Sequence, residues 1–406
     1  MDSSFSMRSM ERDTERPLRI LQVIPHFTPA HGGSVRVVYD VARYLGCRGH
    51  EVTIVTSDSG MSESMMESGP FTVESMPCIF ARWKFYITPT LVDWARHNIA
   101  RFDVVHLHEV RTLQNAIVAR TARQLDVPFL LSAHGTLPIV VQHQLPKQAY
   151  DRLFGRNLLR NAARLVAVSP VEVEQYRQAG VEDARIKLIL NGLDLEMFAQ
   201  LPARGSFLAT LPNVRSGTKL LLYLGRIHRS KGIDHLIEAF KVVREHEPES
   251  LLAIVGPDDG EQAKLESLVE RLGMTEQVIF IGPLYGREKL AALVDADIVV
   301  LPSTFEIFGL VAFEALICGT PVVVADDCGA GWIIDEINGG YVAPYGNPAA
   351  LAEALFEVLA HEDEALRRVA AGQAYIREHL DWNIVIANLE ALYREVACAT
   401  TRSATP

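Results

Sequence analysis

From residue 18 onward this chain repeats one pattern: a short, wholly apolar run, a turn, then a stretch with helical spacing. Apolar runs predict strands at 18–24, 51–56, 103–107, 128–132, 165–169 and 186–190, and again at 219–224, 251–255, 278–281, 298–301 and 321–324. Runs this short and apolar on both faces suit strands covered on both sides. Helical spacing at 34–45, 232–245, 261–272, 287–295, 310–318 and 348–359 falls between them. The alternation predicts an α/β protein built on doubly wound parallel sheets. It is interrupted once, at the turn signal Asn191-Gly192-Leu193-Asp194 and a segment carrying Pro202, Gly205 and Pro212. The organisation read from this is a tail over 1–17, a first domain over 18–196, a linker over 197–215, a second domain over 216–380, an amphipathic helix over 381–397 and a tail over 398–406.

At 406 residues the chain is too long for a single core, which agrees with two domains. It holds no run of about 18 apolar residues that could span a membrane. Its start is polar, without the apolar core of a secretory signal, so a cytoplasmic protein is expected. Five scattered cysteines with no Cys-x-x-Cys point to a reducing compartment and away from structural zinc. The net charge of −11 is uneven: the first 192 residues carry 22 Lys and Arg against 19 Asp and Glu, the remainder 17 against 31. Nucleic acid is therefore a poor partner. The mildly basic first half suits an anionic acceptor or the inner face of a membrane, with the basic-aromatic run Arg82-Trp83-Lys84-Phe85-Tyr86 as a candidate contact.

In open α/β sheets ligands collect at the carboxyl ends of strands, so the residues after each strand are the candidates for chemistry. The richest stretch runs from Phe305 to Val323. Glu306 lies in a loop before a glycine, and Glu314 falls inside an apolar helix among Leu310, Val311, Phe313 and Leu316. A carboxylate there is costly to bury without a polar partner, and ribose hydroxyls would serve. Phe308-Gly309-Leu310 opens that helix, where unpaired N–H groups suit a phosphate. In the first half, Gly32-Gly33 opens a helix after the first strand, and His134 ends another strand before a glycine. Two metal patterns are present and neither convinces. His106 and His108 share one strand face but lack a third ligand at useful spacing. Asp295-Ala296-Asp297 ends a helix and enters a strand, which favours a structural role. Neither implies a bound metal.

Glu306 and Glu314, followed by Cys318-Gly319-Thr320-Pro321, resemble the donor-binding signature of the family 4 glycosyltransferases. Gly225-Arg226…Lys231-Gly232 is similar to that family's Gly-Arg…Lys-Gly element. The resemblance covers nearly all of 18–396 and is closer in the second half. It implies the GT-B fold, two Rossmann-like domains facing across a cleft, with the C-terminal helix returning to the first domain. It also implies transfer of a sugar from a nucleotide-diphosphate donor to a hydroxyl of a glycan or glycolipid, with retained anomeric configuration; no metal is expected, since Arg226, Lys231 and the N–H groups opening the Leu310 helix can offset the diphosphate charge. On the matching positions it implies that Arg226 and Lys231 stabilise the leaving diphosphate. Glu306 would face the sugar, and Gly225, Gly256, Phe308, Gly309, Leu310 and Glu314 would hold the donor. Gly32, Gly33 and His134 would act from the first domain. The sequence departs from the pattern at Cys328-Gly329-Ala330-Gly331-Trp332, where Trp332 would seal its helix against the sheet. Two other readings fit the same outline: a nucleotide-sugar 2-epimerase and a non-catalytic, two-lobed sugar-binding protein.

Overall fold

A computed structural model describes residues 16–28, 33–60, 69–82, 85–138, 144–212, 214–215 and 217–403. The chain divides into two compact units. One runs to Leu190 and takes in the stretch from Asn383 onward; the other is Asn191–Trp382.

The first unit contains strands β1 (Arg19–Val23), β2 (Glu51–Ser57), β3 (Thr72–Met76), β4 (Phe80–Arg82), β5 (Phe85–Ile87), β6 (Val104–His108), β7 (Phe129–Ser132), β8 (Arg164–Ala167) and β9 (Ile186–Leu188). Seven of them form one sheet in the order β3-β2-β1-β6-β7-β8-β9, and every pairing in it is parallel. β4 and β5 pair separately as an antiparallel hairpin. The apolar runs lie in the sheet's centre: Ile20, Leu21 and Val23 of β1 and Val104, Val105 and Leu107 of β6 are fully buried. The sequence did not predict β3, whose middle three residues are all half-buried and so show no alternation. The C-terminal helix Trp382–Ser403 is anchored by side chains within this unit. Glu390 pairs with Arg48 at 2.8 Å, Arg394 donates to Arg16 O at 2.9 Å, Glu395 pairs with Arg164, and Tyr393 is buried.

The second unit contains β10 (Lys219–Leu224), β11 (Ser250–Val255), β12 (Val278–Gly282), β13 (Ile298–Leu301), β14 (Val322–Ala325) and β15 (Tyr341–Ala343), ordered β12-β11-β10-β13-β14-β15, again all parallel. In both sheets the chain leaves one central strand toward one edge and returns to its neighbour before winding toward the other. The reversals fall between β1 and β6 and between β10 and β13. At such a point the loops from the two strands diverge and leave room for a ligand.

The segment expected as a linker over 197–215 is not a free connection. Asp295, fully buried at the end of the helix Gly286–Asp295, accepts hydrogen bonds from the backbone N–H groups of Gly205 (2.6 Å), Phe207 (2.6 Å) and Leu208 (2.8 Å). These bonds bind the segment to the second unit. Asp297 accepts from the N–H of Leu220 at 2.8 Å and lies 3.4 Å from both Lys219 and Arg204. Asp295 thus serves the backbone, and Asp297 serves both the backbone and the neighbouring cations. Asp295→Ala leaves three donors unpaired, and an unpaired buried polar group costs about 1–3 kcal/mol. We expect this variant to lose several degrees of thermal midpoint by calorimetry, while Asp297→Ala loses less.

Candidate functional site

In the second unit the loops after β10 and β13 meet at the strand reversal. The turn over Gly225–Gly232 is bound to its neighbours on both sides. The N–H of Gly225 donates to Val255 O (2.9 Å), that of Ile227 to Pro257 O (2.9 Å), and that of Thr304 to Ser230 O (3.0 Å). Close approach requires glycine at two places. A Cβ on Gly256, where φ is +149°, would lie 1.8 Å from the carbonyl oxygen of Gly225; one on Gly232 would lie 2.1 Å from that of Pro302.

This framework brings Lys231 and Glu306 into a direct ion pair with little side-chain exposure. Arg226 pairs with Asp259 at 2.6 Å, and both are about half exposed. An exposed pair of this kind contributes at most about 1 kcal/mol, so the guanidinium can exchange its partner for a ligand anion at small cost. Buried Tyr223 feels the charges of both Glu306 and Arg226, and its hydroxyl donates to Arg226 O at 2.8 Å. His228 stands among the same cations. Burial chiefly depresses its pKa, with Arg226, Arg229 and Lys231 adding to the effect against Asp259. Arg226, Lys231 and Glu306 therefore form one electrostatic neighbourhood.

Beside it, Phe305 takes a left-handed backbone (φ 58°), and Gly309 (φ 74°) caps the helix Leu310–Ile317. Phe308 is buried against Phe313, ring centroids 5.1 Å apart, so its side chain is core. The N–H of Gly329 donates to Glu306 O at 2.7 Å and ties this loop to the helix Gly329–Glu336. Trp332 on that helix is 47% exposed, so the seal against the sheet expected of it is absent. Glu314 has a partner that spacing did not reveal: Lys289 Nζ from the helix Gly286–Asp295 lies 2.5 Å from Glu314 Oε2. The pairings of Asp259 with Arg226 and of Lys289 with Glu314, and the place of Tyr223, escaped the sequence reading because the partners lie apart along the chain.

In the first unit, Gly32 lies outside the described residues, as do Trp83 and Lys84 of the basic-aromatic run. Gly33 opens the helix Gly33–Cys47 with no described atom within 4 Å of where a Cβ would stand. Ser34 Oγ donates to Glu109 Oε1 at 3.2 Å, joining that helix start to the end of β6. The histidine pair gains the third histidine that spacing did not supply. His108 Nδ1 lies 2.9 Å from His134 Nε2, and the ring centroids of His106 and His108 are 4.2 Å apart. His108 bonds to His134 while His106 only packs against His108, so the three do not converge on one point, and no metal-holding group of His, Cys, Asp or Glu occurs among the described residues. Burial lowers the pKa of His106 to about 3 and of His134 to about 4, and holds His108 well below the ordinary histidine value. Glu172, also fully buried, is raised to about 7 by burial, although the N–H groups of Gly135 (2.8 Å) and Val168 (2.9 Å) donate to it.

Two parallel-sheet units, one carrying cations and carboxylates at its strand reversal and the other neutral histidines at its strand ends, define a two-domain nucleotide-sugar fold. Residues 31–197 match the family model "Glycosyltransferase Family 4" and residues 212–375 match "Glycosyl transferases group 1". The chain is 30% identical to a D-inositol 3-phosphate glycosyltransferase of Nocardiopsis dassonvillei over 98% of each chain. It is 27% identical to a phosphatidyl-myo-inositol mannosyltransferase of Mycobacterium leprae, over 95% of this chain and 99% of the other. Among solved structures it is similar to Anabaena HepE in complex with UDP, with a TM-score of 0.78 and 21% identity over 93% of this chain and 100% of that one. The chain belongs to the family 4 (group 1) glycosyltransferases and has the GT-B fold; it is a glycosyltransferase.

The buried histidines set a pH dependence of stability. Their native pKa values lie below the unfolded value of about 6.5. Between about pH 6.5 and 4 the unfolded chain therefore binds more protons than the native one, and stability falls as pH falls. Glu172 acts oppositely between 4.5 and 7, one group against three. The urea midpoint of the protein is expected to drop from pH 7.5 to 5.0, and to drop more steeply in Glu172→Gln. A midpoint that holds steady or rises over that range contradicts the neutral trio.

Proposed function

We propose that this glycosyltransferase moves a sugar from a nucleoside diphosphate sugar to a hydroxyl of a glycan or glycolipid, with retention and without a bound metal. The observation that carries the reading is the charged neighbourhood of Arg226, Lys231 and Glu306 at the β10/β13 reversal. When the bond from the anomeric carbon to the phosphate oxygen breaks, its electron pair stays on that oxygen. Arg226 and Lys231 are the cations placed to stabilise this growing charge. The acceptor oxygen then bonds to the anomeric carbon, and its proton goes to the departing phosphate. Glu306 fixes Lys231, and Glu314, held by Lys289, is the carboxylate for the ribose hydroxyls. The cations take the part a divalent ion would otherwise play. A UDP-type donor is supported by the HepE complex, and an inositol-bearing glycolipid or its phosphorylated precursor by the names of the two relatives.

Transfer assayed in excess EDTA should match transfer without chelator. In that assay Arg226→Ala and Lys231→Ala should each lose about 10²-fold or more in turnover, as expected for a preorganised charge. Activity abolished by EDTA and restored by Mg²⁺ rejects the metal-free reading. Wild-type turnover in both variants rejects the leaving-group role.

A membrane contact through the first unit is supported by exposed Ile79 and Phe80 and part-exposed Ile87 at the β4–β5 hairpin, together with the basic residues Arg82 and Lys84 that the sequence places in the same run. Apolar side chains beside cations suit an anionic lipid surface. The protein should float with vesicles containing phosphatidylserine, less so at high salt, and Phe80→Ser should weaken this. Equal recovery with neutral vesicles counts against it.

A further inference from the structure

His134 stands at the end of β7 in a backbone conformation that a non-glycine residue adopts only at a cost: its φ is 49°. Its neighbours hold it there. The N–H of Ala133 donates to the Tyr176 hydroxyl at 2.9 Å, the N–H of Gly135 donates to Glu172, and Thr136 closes the turn onto Ala133 O through both its N–H (3.0 Å) and its hydroxyl (2.6 Å). The ring is held as firmly as the backbone. His108 and His134 stack with planes 13° apart and centroids 5.2 Å apart, joined by the 2.9 Å contact from Nδ1 of His108 to Nε2 of His134. Behind His108 lies His106, whose two nitrogens are occupied by the Tyr393 hydroxyl (2.6 Å) and Ser132 Oγ (2.8 Å). All five side chains belong to the first unit.

Two neutral imidazoles in contact share one proton between the facing nitrogens, and that proton has two possible homes. If it sits on His134 Nε2, then His108 must carry its own proton on Nε2. That atom is buried and has no hydrogen-bond partner. A buried N–H without an acceptor is the rarer and costlier defect; a bare ring nitrogen in the same place leaves only a lone pair unmet. The proton therefore belongs on His108 Nδ1, which donates to His134 Nε2. The neutral His134 must then carry its own proton on Nδ1, a nitrogen that makes no hydrogen bond among the described residues.

We propose that His108 is a positioning residue: by donating to Nε2 of His134 it fixes that ring as the Nδ1–H tautomer, so His134 meets substrate as a hydrogen-bond donor to an oxygen and not as a base. The proposal rests on the expectation, implied by the family resemblance, that His134 acts on the substrate from the first domain. An oxygen with free lone pairs, such as a sugar hydroxyl or a phosphate oxygen, is the chemistry such a donor recognises. His106, clamped by Ser132 and the C-terminal helix, keeps the His108 ring in its plane.

The test uses the full chain labelled with ¹⁵N-histidine and kinetics on three variants. Long-range ¹H–¹⁵N correlation at neutral pH should show His134 with a protonated Nδ1 and a bare Nε2. The reverse pattern overturns the proposal. His108→Asn keeps an N–H donor near the position of Nδ1, whereas His108→Leu keeps the bulk without it. We expect His108→Leu to lose about tenfold in kcat, the size of one charge-free orienting hydrogen bond, with KM for the donor little changed. His108→Asn should recover most of that loss. Equal losses in the two variants mean packing alone and overturn the proposal. Wild-type kcat in His108→Leu beside a slow His134→Ala overturns the positioning role only. Wild-type kcat in His134→Ala removes the substrate contact and, with it, the proposal.

Discussion

The ion pair between Lys231 and Glu306 joins loops that leave adjacent parallel strands in opposite directions, and most of the second unit's site follows from that meeting. Parallel neighbours send their carboxyl ends to the same edge of the sheet, so residues 75 positions apart arrive side by side. The approach is limited by backbone, not by side chains. Gly256 lies against the carbonyl of Gly225, Gly232 against that of Pro302, and Gly329 against that of Ile307, where an added Cβ would stand 1.8 Å from oxygen. A methyl group at any of these would part the loops and with them the charges.

The two units use opposite electrostatics. The second is strongly acidic, yet the acids around its strand reversal are matched: Asp259 by Arg226, Glu306 by Lys231, Glu314 by Lys289. Matched charge held near the surface can be exchanged for ligand charge with little change in solvation. The first unit instead packs three histidines together, holds their pKa values low by burial, and joins two of them, His108 and His134, by a hydrogen bond.

The aspartates at 295 and 297 show why a motif needs its surroundings. Asp-x-Asp on a loop would suggest a metal–nucleotide site, but here Asp295 ends a helix and its oxygens are taken up by three backbone N–H groups. The same contacts turn what composition marks as a linker into part of the second unit.

The sequence by itself determined the fold class and most of the strands, because a parallel sheet covered on both faces demands unbroken apolar runs and little else can produce them. It also marked the residues at the strand ends, Arg226, Lys231, Glu306, Glu314 and His134, since charge or imidazole following such a run is conspicuous. It missed β3 and the three-residue β15, edge strands too short or too evenly half-buried to carry a period. It could not pair the charges: that Glu314 meets Lys289, that Arg226 meets Asp259, and that His134 completes a trio begun by His106 and His108. Those pairings depend on which strands lie side by side, and strand order is a property of the folded sheet. Local spacing along the chain fixes the candidates, and only the long-range register of the sheets fixes their partners, tautomers and burial.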